Sequence, residues 1–299
     1  MADTDLPRRV GILGARSMVG ASLLPMLSRE RLQVTAFTRR ARKRNSDTAN
    51  DVLWRELPAA TQPMQPHDDP IPLWICMAPI QVLPDYFGLL QAHGVRRVVA
   101  LSSTSRFTKG NSTDMSEQAL AQGLVDAEER IGAWAREHGV QWVVLRPTLI
   151  YGLGLDRNIC EIAAMIRRAH MFPLFGKAGG LRQPVHCDDV AAACRSALHA
   201  PDAANRAYNI SGAEILTYRE MVTRVFAAMG MKPRLLSIPL WSFRLAIALL
   251  RPIPRFRKWS PAMAERMAQD MVFDHADAAR DLAYAPRPFH PTLQDVQRR

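Results

Sequence analysis

The sequence predicts an α/β protein built on a doubly wound parallel sheet, with a smaller C-terminal α/β lobe. Short apolar segments alternate with amphipathic segments of helix length in the first half of the chain, and the first apolar segment runs through a turn of small residues into a helix. Such alternation requires parallel strands joined by crossover helices that cover both faces of the sheet. The predicted strands are Val10–Leu13, Gln33–Thr38, Val52–Leu57, Leu73–Ala78, Arg97–Ser102 and Trp142–Arg146. The predicted helices are Met18–Arg29, Gln81–His93 and Ser116–His138.

The remaining segments indicate the domain organisation. Between the third and fourth predicted strands, a loop is indicated by Pro58, Pro63, Pro66, Pro70 and Pro72. Beyond Arg146 the elements become shorter and mixed, and the capping box Thr217-x-x-Glu220 predicts a helix that ends near Met229. We therefore expect a first domain over residues 1–150 and a smaller lobe over residues 151–299, with the chain from the 180s returning to the sheet.

Composition restricts the class of protein. At 299 residues, with 48% hydrophobic and 22% charged residues, the chain is long enough for one large domain or for a domain and a lobe. No apolar run of about 18 residues predicts a membrane span, and the N-terminal residues lack the apolar core of a signal peptide. The cysteines form no CxxC pair and have no metal-ligand spacing, so we expect free thiols, no metal and a cytoplasmic location: Cys76, Cys160, Cys187 and Cys194.

The net charge of +11 raises the question of a nucleic-acid partner. The basic residues are scattered, however, and no helix-turn-helix or zinc pattern accompanies them, so we expect no nucleic acid as a partner. A basic region, Arg251–Lys258, follows the amphipathic segment Leu240–Leu250, and residues 240–258 could contact a membrane surface. We favour the alternative, a helix that caps the smaller lobe.

The turn after the first predicted strand has the composition of a phosphate-binding turn. A strand that delivers the backbone to a helix N-terminus directs unpaired N–H groups and the positive end of the helix dipole at one point, where a pyrophosphate can bind. Small residues let the backbone approach the phosphates. The spacing Gly14-x-x-Ser17-x-x-Gly20 leaves Val10–Leu13 as the strand, whereas a spacing that starts at Gly11 would leave a proline and two arginines as strand residues. We adopt the first spacing, in which serine replaces the middle glycine.

The end of the second predicted strand indicates which dinucleotide would bind. In folds of this kind an acidic residue there accepts a hydrogen bond from the adenosine ribose 2′-hydroxyl. Here Thr38 is followed by Arg39 and Arg40. A guanidinium can hold a 2′-phosphate through two charge-assisted hydrogen bonds, and Arg16 can approach that phosphate from the turn. We therefore expect NADP(H) in preference to NAD(H); a solvated basic loop is the alternative interpretation.

Three further segments carry recognisable motifs, and their order along the chain is informative: Arg96–Thr104 (RRVVALSST), Leu145–Gly152 (LRPTLIYG) and Arg182–Ala191 (RQPVHCDDVA). They resemble the fifth strand with its serine-rich edge, the LRPxxxYG motif beside the nicotinamide and the RDFVHVDDVA segment of the extended short-chain dehydrogenase/reductases, the family of sugar-nucleotide epimerases and dehydratases. The resemblance covers almost the whole chain and implies a Rossmann fold.

The resemblance implies roles for particular residues. Ser103 falls where the family has a catalytic serine or threonine, and Arg182 falls where it holds a substrate diphosphate. We expect Asn158 and Arg182 to bind a small anionic or nucleotide-linked substrate. His186 we interpret as structural, and a homodimer is a candidate assembly. The residues expected to contact the cofactor are Gly14, Arg16, Ser17, Met18, Val19, Gly20, Arg39, Arg40, Met77, Ala78, Pro79, Ser102, Pro147 and Leu149.

The resemblance breaks at the general acid/base. In the family this group is the tyrosine of a YxxxK motif on the helix after the fifth strand, and the lysine holds the ribose and favours the phenolate. Matching Glu128 to the family's glutamate places Leu120 at the tyrosine and Leu124 at the lysine, and Ser116–His138 contains neither residue type. We predict that an apolar stripe packs in the core: Leu120, Leu124, Ile131 and Trp134. The nearby residues that could replace the tyrosine are Arg106, Lys109 and Tyr151.

Two functions follow. The first is an NADP(H)-dependent oxidoreductase or epimerase-like enzyme, because hydride transfer needs chiefly a cofactor held near the substrate carbon. The second is a non-catalytic NADP(H)-binding redox sensor or an accessory subunit of a larger complex. The missing YxxxK motif favours the second, whereas Ser103, Arg182 and the complete second lobe favour the first, which we prefer.

Overall fold

The computed structural model describes residues 9–39, 52–60, 65–110, 112, 114–239 and 267–297. Within them, the strands of the central sheet are β1 (Arg9–Leu13), β2 (Gln33–Thr38), β3 (Val52–Glu56), β4 (Leu73–Cys76), β5 (Arg97–Leu101), β6 (Gln141–Pro147) and β11 (Arg206–Ile210). Their order is β11-β6-β5-β4-β1-β2-β3, and every pairing is parallel. The remaining strands form two-stranded pairs beside this sheet: β7 (Ile150–Tyr151), β8 (Phe172–Phe175), β9 (Leu181–Arg182), β10 (Val185–His186), β12 (Leu216–Thr217) and β13 (Leu235–Ile238).

Helices cover the sheet on both faces and build the second lobe. The described helices are α1 (Met18–Arg29), α2 (Phe87–Ala92), α3 (Ser105–Thr108), α4 (Met115–Glu137), α5 (Asn158–Ala169), α6 (Cys187–His199), α7 (Tyr218–Ala228), α8 (Ala276–Leu282) and α9 (Leu293–Val296). α1 and α6 enclose one core against the sheet, with Leu23, Val190 and Ile12 fully buried. α2 and α4 enclose the other core, around Trp74 and Ile131. The predicted doubly wound fold is therefore confirmed.

The order of the strands places a crevice at the end of β1. The chain passes from β1 to β2 on one side, and it later returns to β4 on the other side of β1, so that Val10 is paired with both Val34 and Leu73. In an open parallel sheet, ligands bind outside the carboxyl ends of the strands where the order reverses in this way. The turn that follows β1 lies at this point.

The prediction of one helix over Gln81–His93 is wrong in part. The chain there forms a 3₁₀ helix, Ile80–Tyr86, followed by the short helix α2. Pro84 lies inside this segment; it lacks an N–H donor, and its ring disfavours α-helical geometry at the preceding residue. The described residues between β3 and β4 form no helix, as the prolines predicted.

The second lobe has a core of its own. α5, α7 and α9 surround β8, and Phe226, Leu174 and Ile159 are fully buried among them. Thr217 and Glu220 form the predicted capping box at the start of α7. From this lobe the chain returns twice to the first domain, with α6 packed against α1 and with β11 added to the sheet beside β6. The domain boundary at residue 150 stays a prediction.

Two further expectations concern chemistry and location. All four cysteines are free, as expected, and all four are also buried. Among the described residues, no helix has both the length and the apolar character needed to cross a membrane. The predictions for Arg40 and for residues 240–258 fall outside the described residues.

Candidate active site

The turn after β1 is built for close backbone approach. Gly14 has φ +80°, and a Cβ there would lie 2.4 Å from the backbone nitrogen of Ala78. A Cβ on Gly20 would lie 2.2 Å from the carbonyl oxygen of Ala15, inside the first turn of α1. Both positions therefore exclude a side chain, because real Cβ atoms do not approach other atoms so closely.

The N-terminus of α1 opens directly from this turn. Ser17 is the N-cap: its backbone N–H donates to the Gly14 carbonyl at 3.0 Å, and its Oγ accepts from the N–H of Gly20 at 3.1 Å. Met18 and Val19 complete the first turn, which contains no acidic residue. The unpaired N–H groups and the positive end of the helix dipole thus meet the crevice beside β1 without a competing carboxylate, an arrangement that suits a pyrophosphate. These residues fit a dinucleotide.

One rim of the crevice is basic. Arg16 and Arg39 are exposed, and Arg39 follows β2 directly. The Arg16 guanidinium lies over the indole of Trp54, 5.5 Å from the ring centroid, since β3 places Trp54 opposite Ala36 of β2. The role of Trp54 could not be predicted from the sequence, because nothing local in β3 indicates which residue of another segment will lie above its ring.

The opposite wall follows β4. The N–H of Met77 donates to the Leu13 carbonyl at 2.8 Å, which extends the pairing of β4 with β1 past the end of the strand. Ala78 comes next and lies against the Gly14 turn, and Pro79 follows as the N-cap of the 3₁₀ helix. Beneath them, burial raises the pKa of the Cys76 thiol to about 12, so this cysteine stays protonated. Met77 and Ala78, two of the three predicted wall residues, therefore lie beside the turn.

The ends of β5 and β6 form the floor. Thr104 donates to the carbonyl of Pro147 at 3.1 Å, and the Leu149 carbonyl accepts from Val185 at 2.9 Å. Ser103, between these contacts in the loop after β5, donates through Oγ to Ser105 Oγ at 3.0 Å. Its hydroxyl also accepts from the backbone N–H of Ser105 at 3.1 Å.

Glu128 of α4 joins the two strand ends. Its carboxylate accepts a hydrogen bond from Ser102 Oγ at 2.5 Å and a bidentate pair from Arg146 at 2.6 and 3.2 Å. Arg106 of α3 forms an ion pair with the same carboxylate. Both guanidinium groups also lie over the ring of Phe107, 5.2 and 5.3 Å from its centroid. These three contacts of Glu128 could not be predicted from the sequence, because they join segments far apart along the chain.

The prediction that the apolar stripe of α4 packs in the core is correct for three of its residues and wrong for the fourth. Leu124, Ile131 and Trp134 are 5%, 0% and 7% exposed and pack in the core against the sheet. Leu120 is 41% exposed, because it lies at the edge of the face that α4 buries. The position matched to the family's tyrosine is thus open to solvent, whereas the position matched to the lysine is closed.

Two of the candidates for proton transfer are engaged elsewhere. Tyr151 is wrong as a candidate: it is 1% exposed, with its ring against His186 and Phe289, and burial raises the pKa of its phenol far above the ordinary value. Lys109 lies at the end of α3 and forms an ion pair with Glu117 of α4, with Nζ 3.4 Å from Oε1.

The predicted substrate residues lie in the second lobe. Asn158 is exposed in the first turn of α5. Arg182 is 5% exposed, and its Nη1 donates to the carbonyls of Leu181 and Gln269 at 2.8 and 2.6 Å. Its guanidinium also lies over the ring of Tyr218, at 5.6 Å. Arg182 therefore ties residues 267–273 to β9.

His186 lies between two carboxylates. Its Nδ1 lies 3.3 Å from Asp188 and its Nε2 lies 3.4 Å from Asp295 in α9. Burial disfavours the imidazolium, but the hydrogen bonds with these two carboxylates outweigh burial and raise the pKa of His186 to about 11. The charged ring thus links the C-terminal segment to the start of α6.

Comparison with known proteins relates this site to one family. Residues 86–211 match the family model described as NAD dependent epimerase/dehydratase family. A UDP-glucose 4-epimerase of Vibrio cholerae is 22% identical over 138 residues, 46% of this chain and 42% of that protein. A 2-alkyl-3-oxoalkanoate reductase of Stenotrophomonas maltophilia is 31% identical over 222 residues, 66% of each. The chain spans about half the length of the curated relatives that it matches first.

Solved structures share the fold over nearly the whole chain. The structure of MoeE5 in complex with UDP-glucose and NAD has a TM-score of 0.66 at 19% identity and covers 94% of both chains. The Thermotoga maritima UDP-glucose 4-epimerase with UDP-glucose has a TM-score of 0.68 at 16% identity, covering 96% of this chain and 95% of that one. At such identities the likeness shows the fold alone. Together, these comparisons show that residues 86–211 resemble the NAD dependent epimerase/dehydratase family and that the chain shares its fold with these solved structures.

Proposed function

We propose that this protein is an NADP(H)-dependent oxidoreductase or epimerase-like enzyme that acts on an anionic or nucleotide-linked carbonyl or alcohol substrate. The single observation that carries the proposal is the helix N-terminus of α1 at the crevice beside β1, reached through a turn in which Gly14 and Gly20 have no room for a Cβ. Such a turn serves a dinucleotide pyrophosphate.

The preference for NADP(H) rests on the basic rim. β2 ends without an acidic residue, and Arg39 follows it directly, while Arg16 lies over Trp54 of the neighbouring strand β3. Stacking on an indole restricts the Arg16 side chain, and the edge of a guanidinium is suited to hydrogen bonds with a 2′-phosphate. A ribose 2′-hydroxyl would find no carboxylate at the end of β2.

The catalytic assignment rests on the chemistry of the strand ends. A bound nicotinamide supplies or accepts a hydride, and the chain must then orient the reacting oxygen. Ser103 is the proposed hydrogen-bond donor to that oxygen. Asn158, exposed in the first turn of α5, is the proposed anchor for the anionic end of the substrate, since the Arg182 predicted for this role is buried and bonded to two backbone carbonyls. An epimerase and a keto-acid reductase among the relatives support this reaction class.

A second candidate, a redox sensor that binds NADP(H) without turnover, is favoured by one observation. The described helix α4 carries no tyrosine or lysine, and the lysine position, Leu124, is closed by core packing. A sensor needs the crevice beside β1 but no substrate anchor.

Two titrations test the proposal. NADPH and NADH are titrated by fluorescence into the wild type and Arg39→Ala; we expect NADPH to bind more tightly, and Arg39→Ala to weaken NADPH about ten- to a hundredfold while NADH changes little. UDP-sugars, their keto derivatives and β-keto acids are then added to the NADPH-loaded protein. Oxidation of NADPH is followed as the loss of absorbance at 340 nm.

The outcomes separate the two candidates. Equal affinity for both cofactors, or no effect of Arg39→Ala, contradicts the cofactor preference. Tight NADPH binding without oxidation by any of these compounds, and without calorimetric binding of the UDP-sugars, favours the sensor over the enzyme.

A further inference from the structure

α3 brings two cations to the face of α4 on which the family's proton-transfer motif is missing. Lys109 pairs with Glu117, and Arg106 pairs with Glu128. Residues three, four and seven apart share one face of a helix. Leu120 and Leu124 therefore lie between these two carboxylates along α4. The pair of Lys109 and Glu117 lies before them along the helix, and the pair of Arg106 and Glu128 lies after them.

The Glu117 end and the Glu128 end of this face of α4 carry different net charges. Lys109 and Glu117 balance each other. At the other end two guanidinium groups, from Arg106 and Arg146, share the single carboxylate of Glu128, which leaves one excess positive charge. The Glu128 side chain is only 6% exposed, so solvent screens this excess charge weakly.

Arg106, more than Arg146, is the source of the available charge. Arg146 donates to Glu128 through both Nε and Nη2. Arg106 uses one nitrogen, Nη1, and among the described residues Glu128 is the acceptor that its side chain reaches. A guanidinium has five N–H donors. Arg106 also lines a cavity of about 380 Å³ together with Gln118 and Gln122 of α4, so part of its side chain borders open space.

We propose that Arg106 supplies from α3 the fixed positive charge that the family's lysine supplies from α4, and that it stabilises negative charge developing on the substrate oxygen beside Ser103. The link to Ser103 is short, because Ser102, the residue before it, donates to the same Glu128 carboxylate at 2.5 Å. A guanidinium does not exchange its proton at the pH of enzyme activity, so it acts electrostatically, and the oxygen takes its proton from water.

The role inferred for Arg106 rests on the proposed function, because it presupposes a reaction at Ser103. The test of its charge needs neither cofactor nor substrate. Leu120→Tyr restores a phenol at an exposed position, and ultraviolet difference titration against the parent chain follows its ionisation. The background is small because three of the five native tyrosines ionise late: burial raises the pKa of Tyr208 to about 12 and raises those of Tyr151 and Tyr284 further.

We expect the pKa of the new phenol to lie at least about half a pH unit below the ordinary tyrosine value near 10, because a nearby cation favours phenolate. Adding Arg106→Met should return it to the ordinary value, whereas Arg106→Lys should keep most of the shift. Arg195→Met, which breaks an ion pair with Glu30 between α6 and α1, is the matched control and should change nothing.

A second control addresses the other cation. Lys109→Met combined with Glu117→Gln removes the neighbouring ion pair without changing the net charge. This double change should leave the pKa of the new phenol unaltered. The proposal is overturned if the phenol of Leu120→Tyr has the ordinary tyrosine pKa. It is also overturned if the pKa stays lowered after Arg106→Met is added. If Arg106→Met does not fold, loss of the shift in Arg106→Lys overturns it equally. A failed NADPH titration would leave this result untouched, so the two proposals fail separately.

Discussion

The different positions of Leu120 and Leu124 on α4 lead to a quantitative prediction for two otherwise identical substitutions. Leu124 is 5% exposed and packs with Leu83 and Ile131 against the sheet, whereas Leu120, one turn earlier on the same helix, is 41% exposed. We expect Leu124→Ala to destabilise the protein much more than Leu120→Ala. Because the residue type and the helix are the same, Leu120→Ala is the matched control.

The magnitudes follow from burial. Removing a buried leucine side chain costs its transfer free energy and leaves a cavity, together about 2–5 kcal/mol. The exposed fraction of Leu120 already contacts water, and the surface can relax around an alanine there, so the expected loss is about 1 kcal/mol or less. Helix propensity differs little between leucine and alanine, so it does not alter this comparison.

Urea unfolding followed by circular dichroism measures both variants, with equal m-values as the condition for comparing free energies. Equal losses, or a larger loss for Leu120→Ala, would refute the assigned orientation of α4. That result would also remove the basis for Leu120→Tyr as an exposed reporter.

Two further predictions concern the phosphate turn and the C-terminal link. Gly14→Ala should abolish NADPH binding in fluorescence titration and lower the unfolding midpoint, because φ is +80° and the new Cβ would meet a backbone nitrogen at 2.4 Å; Gly88→Ala, whose Cβ would meet nothing within 4 Å, should do neither. For His186→Gln, the folded-state pKa of about 11 exceeds the unfolded value of 6.5, so the stabilisation by the native histidine is complete below pH 6.5 and is lost as pH rises towards 11. Midpoints of wild type and variant should therefore differ most near pH 6 and converge at high pH; a constant difference would contradict the charged link.

Several features depended on short stretches of sequence. The alternation of β1, α1 and β2 follows from apolar periodicity, and the capping box at Thr217 and Glu220 joins residues three apart. The turn at Gly14 was recognisable because its small residues are consecutive. Such patterns are local, so the sequence by itself determined the fold class, the crevice beside β1 and the absence of a YxxxK motif from α4.

Other features depended on which distant segments meet. Tyr151 is closed off by Phe289, Arg182 is engaged by Gln269, and the charge on Glu128 is shared by Arg106 and Arg146. Periodicity indicates that one face of a helix is apolar, but it does not say where that face ends, so it could not separate Leu120 from Leu124. Only the tertiary structure decided these points, because burial and ion pairing depend on neighbours that lie far away along the chain.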